Sequence, residues 1–249
     1  MTSEGISFEE AAAPEGLRLY AIGDIHGRFD LMAEMHARIM DEIRRDRSED
    51  WRIIYLGDYI DRGGQEAQVL DFLAQITSEE PRVQALAGNH DQGLLEFLSG
   101  NSLDNLFVNN GGETTAASYG VALSADAPRE EMQRTRQALL EAMPQSHIAF
   151  MRALPLSFTY GDYFFCHAGV RPGVPLEAQD RHDLLWIRQE FLRHQGLFGK
   201  VIIHGHTPVR RADVCPNRVN LDTGAWRSGL LTAMMLEGKR KRLLEVALS

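Results

Sequence analysis

The side chains able to do chemistry sit in short, glycine-bounded runs. Asp24 and His26 lie in Gly23-Asp24-Ile25-His26-Gly27. Asp58, Asp61 and Arg62 lie in Gly57-Asp58-Tyr59-Ile60-Asp61-Arg62-Gly63, and Asn89, His90 and Asp91 follow Gly88. His167 opens His167-Ala168-Gly169, and His206 stands in His204-Gly205-His206-Thr207-Pro208. Carboxylate, imidazole and amide groups of this kind suit divalent first-row cations such as manganese, iron or zinc; the lack of thiolates among them argues against a structural zinc site. Crowded carboxylates repel one another unless cations intervene. Two ions about 3.5–4 Å apart, sharing a carboxylate, would relieve the repulsion and hold a hydroxide nucleophile.

Each run follows an apolar stretch of strand length. Leu17–Ile22, residues 52–56 and residues 83–87 read as buried strands. Helical apolar spacing over residues 29–45 and 65–76, and again from Gln92, predicts helices after each. This β-α-β-α-β-α order predicts parallel strands with crossover helices, and such sheets gather ligand sites at the carboxyl ends of their strands. Residues 101–151 form a polar, helical excursion that includes Arg129–Ala142. Strand signals then resume: 155–160 and Tyr163–Cys166 around Gly161-Asp162 as a hairpin, then 200–204, 219–222, 230–236 and 242–247.

At 249 residues the chain could hold one or two domains of about 150 residues. We expect a polar leader over residues 1–16 and a single domain over 17–249. A net charge of −9 argues against a nucleic-acid or anionic-membrane coat protein, while leaving room for a locally positive pocket. Cys166 and Cys215 cannot make a disulfide framework and read as ordinary buried thiols of a reducing compartment. With no signal-like leader and no apolar run near the roughly 20 residues that span a bilayer, a cytoplasmic location is expected.

The motifs GDIHG, GDYIDRG, GNHD, HAG and GHTP, in that order, resemble those of the phosphoprotein phosphatase family within the calcineurin-like metallophosphoesterases, in its bacterial and phage-type branch. The likeness runs from Leu17 onward and takes in Trp186-Ile187-Arg188 and the run from Asn220 to Ala225. It implies an α/β fold of four layers, α-β-β-α, with a central β-sandwich flanked by helices. It also implies two divalent ions, with manganese expected and iron or zinc as alternatives. Asp24 and His26 would bind the first ion, Asp58 both, and Asn89, His167 and His206 the second. His90 would protonate the leaving oxygen, oriented by Asp61, while Arg62 and Arg188 would hold phosphoryl oxygens. The implied reaction is one in-line attack by a metal-bridging hydroxide, with no phosphoenzyme.

The expected activity is that of a bacterial-type serine/threonine protein phosphatase acting on a phosphoprotein or small phosphate ester. A dinucleoside polyphosphate hydrolase and a catalytically silent phosphoprotein-binding module are the alternatives. Two departures from the family pattern leave substrate choice open: Asp91 where glutamate is frequent, and Gly64-Gln65-Glu66 after Arg62-Gly63. His204 reads as structural or as a support for a ligand, and Asp222 as a turn cap or similar support. His36, His147, His182 and His194 read as packed or solvated. Lys239 to Arg242 read as a solvated hairpin turn, and Arg210 and Arg211 lie near enough to the pocket to bear on anionic substrates. Oligomeric state is not legible.

Overall fold

A near-continuous apolar run makes β1 (Leu17–Ile22) a central strand. All six residues are buried, with Tyr20 and Ile22 in one apolar layer and Leu17, Leu19 and Ala21 in another. Burial on both faces requires packing above and below the strand. The computed structural model describes residues 5–100 and 106–248 and supplies that packing with two five-stranded sheets. In the first, β1 pairs in parallel with β2 (Asp50–Tyr55), and β2 with β3 (Val83–Ala85). The crossovers are α1 (Phe29–Asp46) and α2 (Glu66–Glu79), and α3 (Asn89–Ser99) follows β3.

The same sheet is completed from the far end of the chain. β9 (Leu230–Glu237) runs antiparallel to β1, and β10 (Arg240–Ala247) pairs with β9. The second sheet has the order β4 (Ser157–Tyr160), β5 (Tyr163–Cys166), β6 (Val201–His204), β8 (Arg218–Asn220) and β7 (Asp213–Val214). Leu19, Ile54, Phe165, Ile203, Leu221 and Met234 pack in one cluster between the sheets. Helices α1 to α3 cover the outer face of the first sheet. Leu184 and Phe191, from α8 (Arg181–Trp186) and α9 (Gln189–Leu192), cover Phe164 and Ile202 on the second. These are the four layers α-β-β-α. Phe165 is fully buried in the middle layer, so Phe165→Ala should cost about 3–5 kcal/mol of unfolding free energy in a urea titration.

Several boundaries differ from those expected. α3 begins at Asn89 rather than Gln92, because the Asp91 carboxylate accepts the Gly88 amide at 2.9 Å and so caps the helix start, drawing the motif into the first turn. Residues 86 and 87 leave the β3 ladder as the chain turns toward Gly88. β8 ends at Asn220, so Asp222 lies beyond its strand. The two-residue β7 has no apolar run to announce it. Cys215 is half-buried rather than buried.

Residues 5–16 are tied down: Ala11 and Ala13 are buried against the inter-sheet layer, and the Ala12 amide donates to the Asp162 carboxylate at 2.9 Å. The helical excursion comprises α4 (Leu106–Asn109), α5 (Gly112–Ser118), α6 (Arg129–Ala142) and α7 (Gln145–Ala153). Its Phe107, Leu139 and Ile148 join the layer outside the first sheet; residues 101–105 of the expected segment lie outside the described residues. Gly238, with φ +51, makes the turn between β9 and β10 together with Lys239, whereas Arg240, Lys241 and Arg242 of the expected turn belong to β10 and pair with β9. No described helix is long and apolar enough to cross a membrane.

Candidate active site

The sharp turns that follow the strands carry backbone strain. His26, Asp58, Asp61, Arg62 and His206 all have left-handed φ values, between 45° and 78°. Non-glycine residues hold such angles only where their surroundings over-determine them, and the cost is about 1–3 kcal/mol each. The glycines beside them allow the loops to touch. A Cβ on Gly88 would stand 2.2 Å from Asp58 Oδ1, and one on Gly205 would stand 1.9 Å from Asp24 Oδ1.

Two sheets thereby meet at one group of buried side chains. The His206 amide donates to both Asp24 oxygens at 3.2 and 3.0 Å. His26 Nδ1 contacts the Ile60 carbonyl at 2.7 Å, which leaves Nε2 3.5 Å from Asp58 Oδ2. His167 Nδ1 contacts the Leu56 carbonyl at 2.9 Å, and its Nε2 lies 3.4 Å from Asp58 Oδ1. Asn89 Oδ1 faces His167 Nε2 at 2.9 Å and His206 Nδ1 at 2.8 Å.

The electrostatics of this group follow from burial. It pushes His26 down to about 3 and holds His206 well below the usual histidine range, so both rings are neutral and free to ligate. Burial, then the nearby Asp222 and Asp58, raise Asp24 well above the carboxylate range. Burial also opposes charge on Asp58 and on His167, but their mutual attraction prevails, depressing the carboxyl and raising the ring to about 10. The pocket around Asp58 therefore calls for positive charge.

His90 Nδ1 lies 2.6 Å from Asp61 Oδ2, and Thr115 Oγ1 donates to Asp61 Oδ1 at 2.6 Å. Burial lowers His90 to about 4 and raises Asp61. The short contact acts the other way, because a carboxylate accepting Nδ1–H stabilises an imidazolium. With Nδ1 turned to Asp61, His90 Nε2 faces Arg62 Nη2 at 2.9 Å. Arg62 Nη1 also reaches His26 Nε2 at 3.0 Å, and Arg188 Nε reaches His206 Nε2 at 2.9 Å. Both arginines line an open cleft of about 570 Å³ that also exposes His90 and Asn89.

A family model for calcineurin-like phosphoesterases matches residues 17–225, the span that contains every residue just described. The chain belongs to the calcineurin-like phosphoesterase family. Among curated relatives, the bis(5'-nucleosyl)-tetraphosphatase PrpE [asymmetrical] of Bacillus velezensis is 29% identical over 234 residues, 85% of this chain and 86% of its own. A crystal structure named as a candidate diadenosine tetraphosphatase superposes with a TM-score of 0.61 at 17% identity, covering 93% of this chain and 95% of that one. A serine/threonine phosphatase from Saccharomyces cerevisiae superposes with a TM-score of 0.57 at 15% identity, covering 97% and 86%. The two structures share the fold with this chain.

Calcineurin-like phosphoesterases imply a pair of metal ions, and the donors present here fit them. Ligand atoms of His26, Asp58 and His90 all lie within 4.8 Å of one another, as do those of Asp58, His167 and His206. Asp58 is common to both triads, and Asn89 adjoins the second. Asp24 belongs to neither triad but backs His206 through the amide contact. His90, expected as the acid and not as a ligand, stands in the first triad itself.

Further side chains support this phosphoesterase site. Asp91 accepts the amides of Asp58, Tyr59 and Gly88 at 2.9–3.1 Å, so the shorter carboxylate still ties the second motif to the third. Glu66 is fully buried and accepts from Gly63, Gly64 and Thr114 Oγ1, fixing the loop after Arg62. Its only signal was an acidic residue in a helix's first turn after two glycines. Arg210 and Arg211 stay exposed and outside the cleft lining, whereas Arg227 and Trp226 line it. His204 is fully buried with Nε2 unpartnered, edge-on to Phe191. Asp222 Oδ1 caps the turn at the Gly224 amide, 2.9 Å away. His36 and His147 are buried and hydrogen-bonded, to Tyr55 and to Asp71 and Tyr119. His182 and His194 pack on Trp186 and Phe198.

Proposed function

We propose that this metallophosphoesterase hydrolyses dinucleoside tetraphosphates off-centre, releasing a nucleoside triphosphate and a nucleoside monophosphate. The observation that carries the reading is the similarity to the Bacillus velezensis tetraphosphatase over 85% of this chain and 86% of that one. Asp24, His26 and Asp58 would hold one divalent ion and Asp58, Asn89, His167 and His206 the other, with manganese expected and iron or zinc compatible with the donors. When bound, the ions would supply Lewis-acid charge and an activated water. Arg62 and Arg188 offer guanidinium donors matched to phosphoryl oxygens, and they stay charged throughout. His90, oriented by Asp61, delivers a proton to the departing oxygen.

A second reading, the serine/threonine phosphatase first expected, draws support from the 2.6 Å His90–Asp61 contact. A supported proton donor matters most for an alkoxide leaving group. Side-by-side assays of diadenosine tetraphosphate and a phosphoserine peptide separate the two. The tetraphosphate should be cleaved with the higher kcat/KM, and preference for the peptide would overturn the proposal. Chelator-stripped protein should lose activity and regain it with manganese, whereas full turnover in chelator would rule out the metal-dependent scheme.

A further inference from the structure

The cleft does not end at the phosphate-binding arginines. It continues to Trp226 and Arg227 on the short helix α10 (Ala225–Ser228), with Asn110 and Thr114 of the helical excursion also among its lining residues. The segment bearing Trp226 is held firmly. Asp222 caps the Gly224 amide, Ser228 Oγ donates to the Thr223 carbonyl at 2.9 Å, and Arg28 donates to the Ala225 carbonyl at 3.0 Å.

Trp226 itself is half-buried, and its indole N–H is shielded from solvent without a hydrogen-bond partner. An unpaired buried donor is a cost that a phenylalanine or leucine would avoid, so packing and local hydrogen bonding give no reason for a tryptophan here. What the ring offers is a large π-face. Arg62 Cζ lies over it at 5.3 Å from the centroid and Arg227 Cζ at 5.9 Å. Arg227 is exposed, so its guanidinium is free to move aside for a flat ligand or close over it.

On the reading of this site as a dinucleoside tetraphosphate hydrolase, we infer that Trp226 is the stacking platform for one nucleobase of the substrate, with Arg227 closing over the base or its adjoining phosphate. The charge arrangement favours this ligand. Arg62, Arg188 and Arg227 all line the cleft, a cationic track suited to a polyphosphate chain rather than to the single phosphate of a phosphoserine. Bases stack on aromatic side chains whatever their identity, so the site would tolerate different nucleosides.

The test compares wild type, Trp226→Ala and Trp226→Phe on diadenosine tetraphosphate and on inorganic tripolyphosphate, which has no base. Any disturbance of Arg62 affects both substrates, so the ratio of their kcat/KM values isolates the base contact. That ratio should fall about 10-fold or more in Trp226→Ala, through KM rather than kcat, and largely recover in Trp226→Phe. An unchanged ratio in Trp226→Ala overturns the platform. Should wild type fail to cleave the dinucleotide, the proposed function is lost and calorimetric binding of adenosine 5'-tetraphosphate becomes the readout. Binding weakened about 10-fold in Trp226→Ala relative to tripolyphosphate upholds the platform, and equal binding rejects it.

Discussion

Asp58→Asn should abolish hydrolysis, by about 10³-fold or more in kcat, and should strip the purified protein of both metal ions. The substitution is nearly isosteric, and asparagine tolerates the left-handed backbone that Asp58 adopts at φ +54. Asp91 would still accept the backbone amide of residue 58, so the turn should keep its shape and the protein its fold. What disappears is the negative charge common to both ligand triads. In a buried site that charge attracts cations far more strongly than it would in water, and loss of a single preorganised polar group at a reacting centre already costs about 10²–10³ in rate. Elemental analysis alongside kcat checks both parts. Retention of two ions with turnover within 10-fold of wild type would show that Asp58 is not shared between them.

His90→Asn should lower turnover by about 10²–10⁴-fold, the range for loss of a positioned acid, while leaving metal content near that of wild type. It removes the ring held at 2.6 Å from Asp61 and the Nε2 facing Arg62. The size of the fall should depend on the leaving group. A departing triphosphate is stable as an anion near neutral pH, whereas a serine alkoxide is not, so the defect should be deeper on a phosphoserine peptide than on diadenosine tetraphosphate. Metal analysis carries the decisive arm, because His90 is a member of the first triad. Metal loss matching that of Asp58→Asn would make His90 a ligand rather than the acid.

Much of this site was legible in the chain itself. The glycine-bounded motifs, each at the end of an apolar strand, announced Asp24, His26, Asp58, Asn89 and His90. Periodicity placed the parallel β1, β2 and β3 with their helices, and α6 spans the expected residues 129–142. These are short-range signals: side-chain spacing within an element, and the turn chemistry that ends it, are written within a few residues. Tertiary structure alone decided how the later strands pair. The late strands 230–236 and 242–247 looked like a continuation of the second half, yet β9 joins β1 because its alternating residues, Met235 one way and Leu236 the other, fill both apolar layers of the first sheet. It also decided the contact of His206 with Asp24 across 182 positions, the support of Asp58 by Asp91, the burial of Glu66 beneath the arginine loop, and the approach of Trp226 to Arg62. Such encounters depend on complementary surfaces from distant segments meeting in space, and no local pattern encodes the partner.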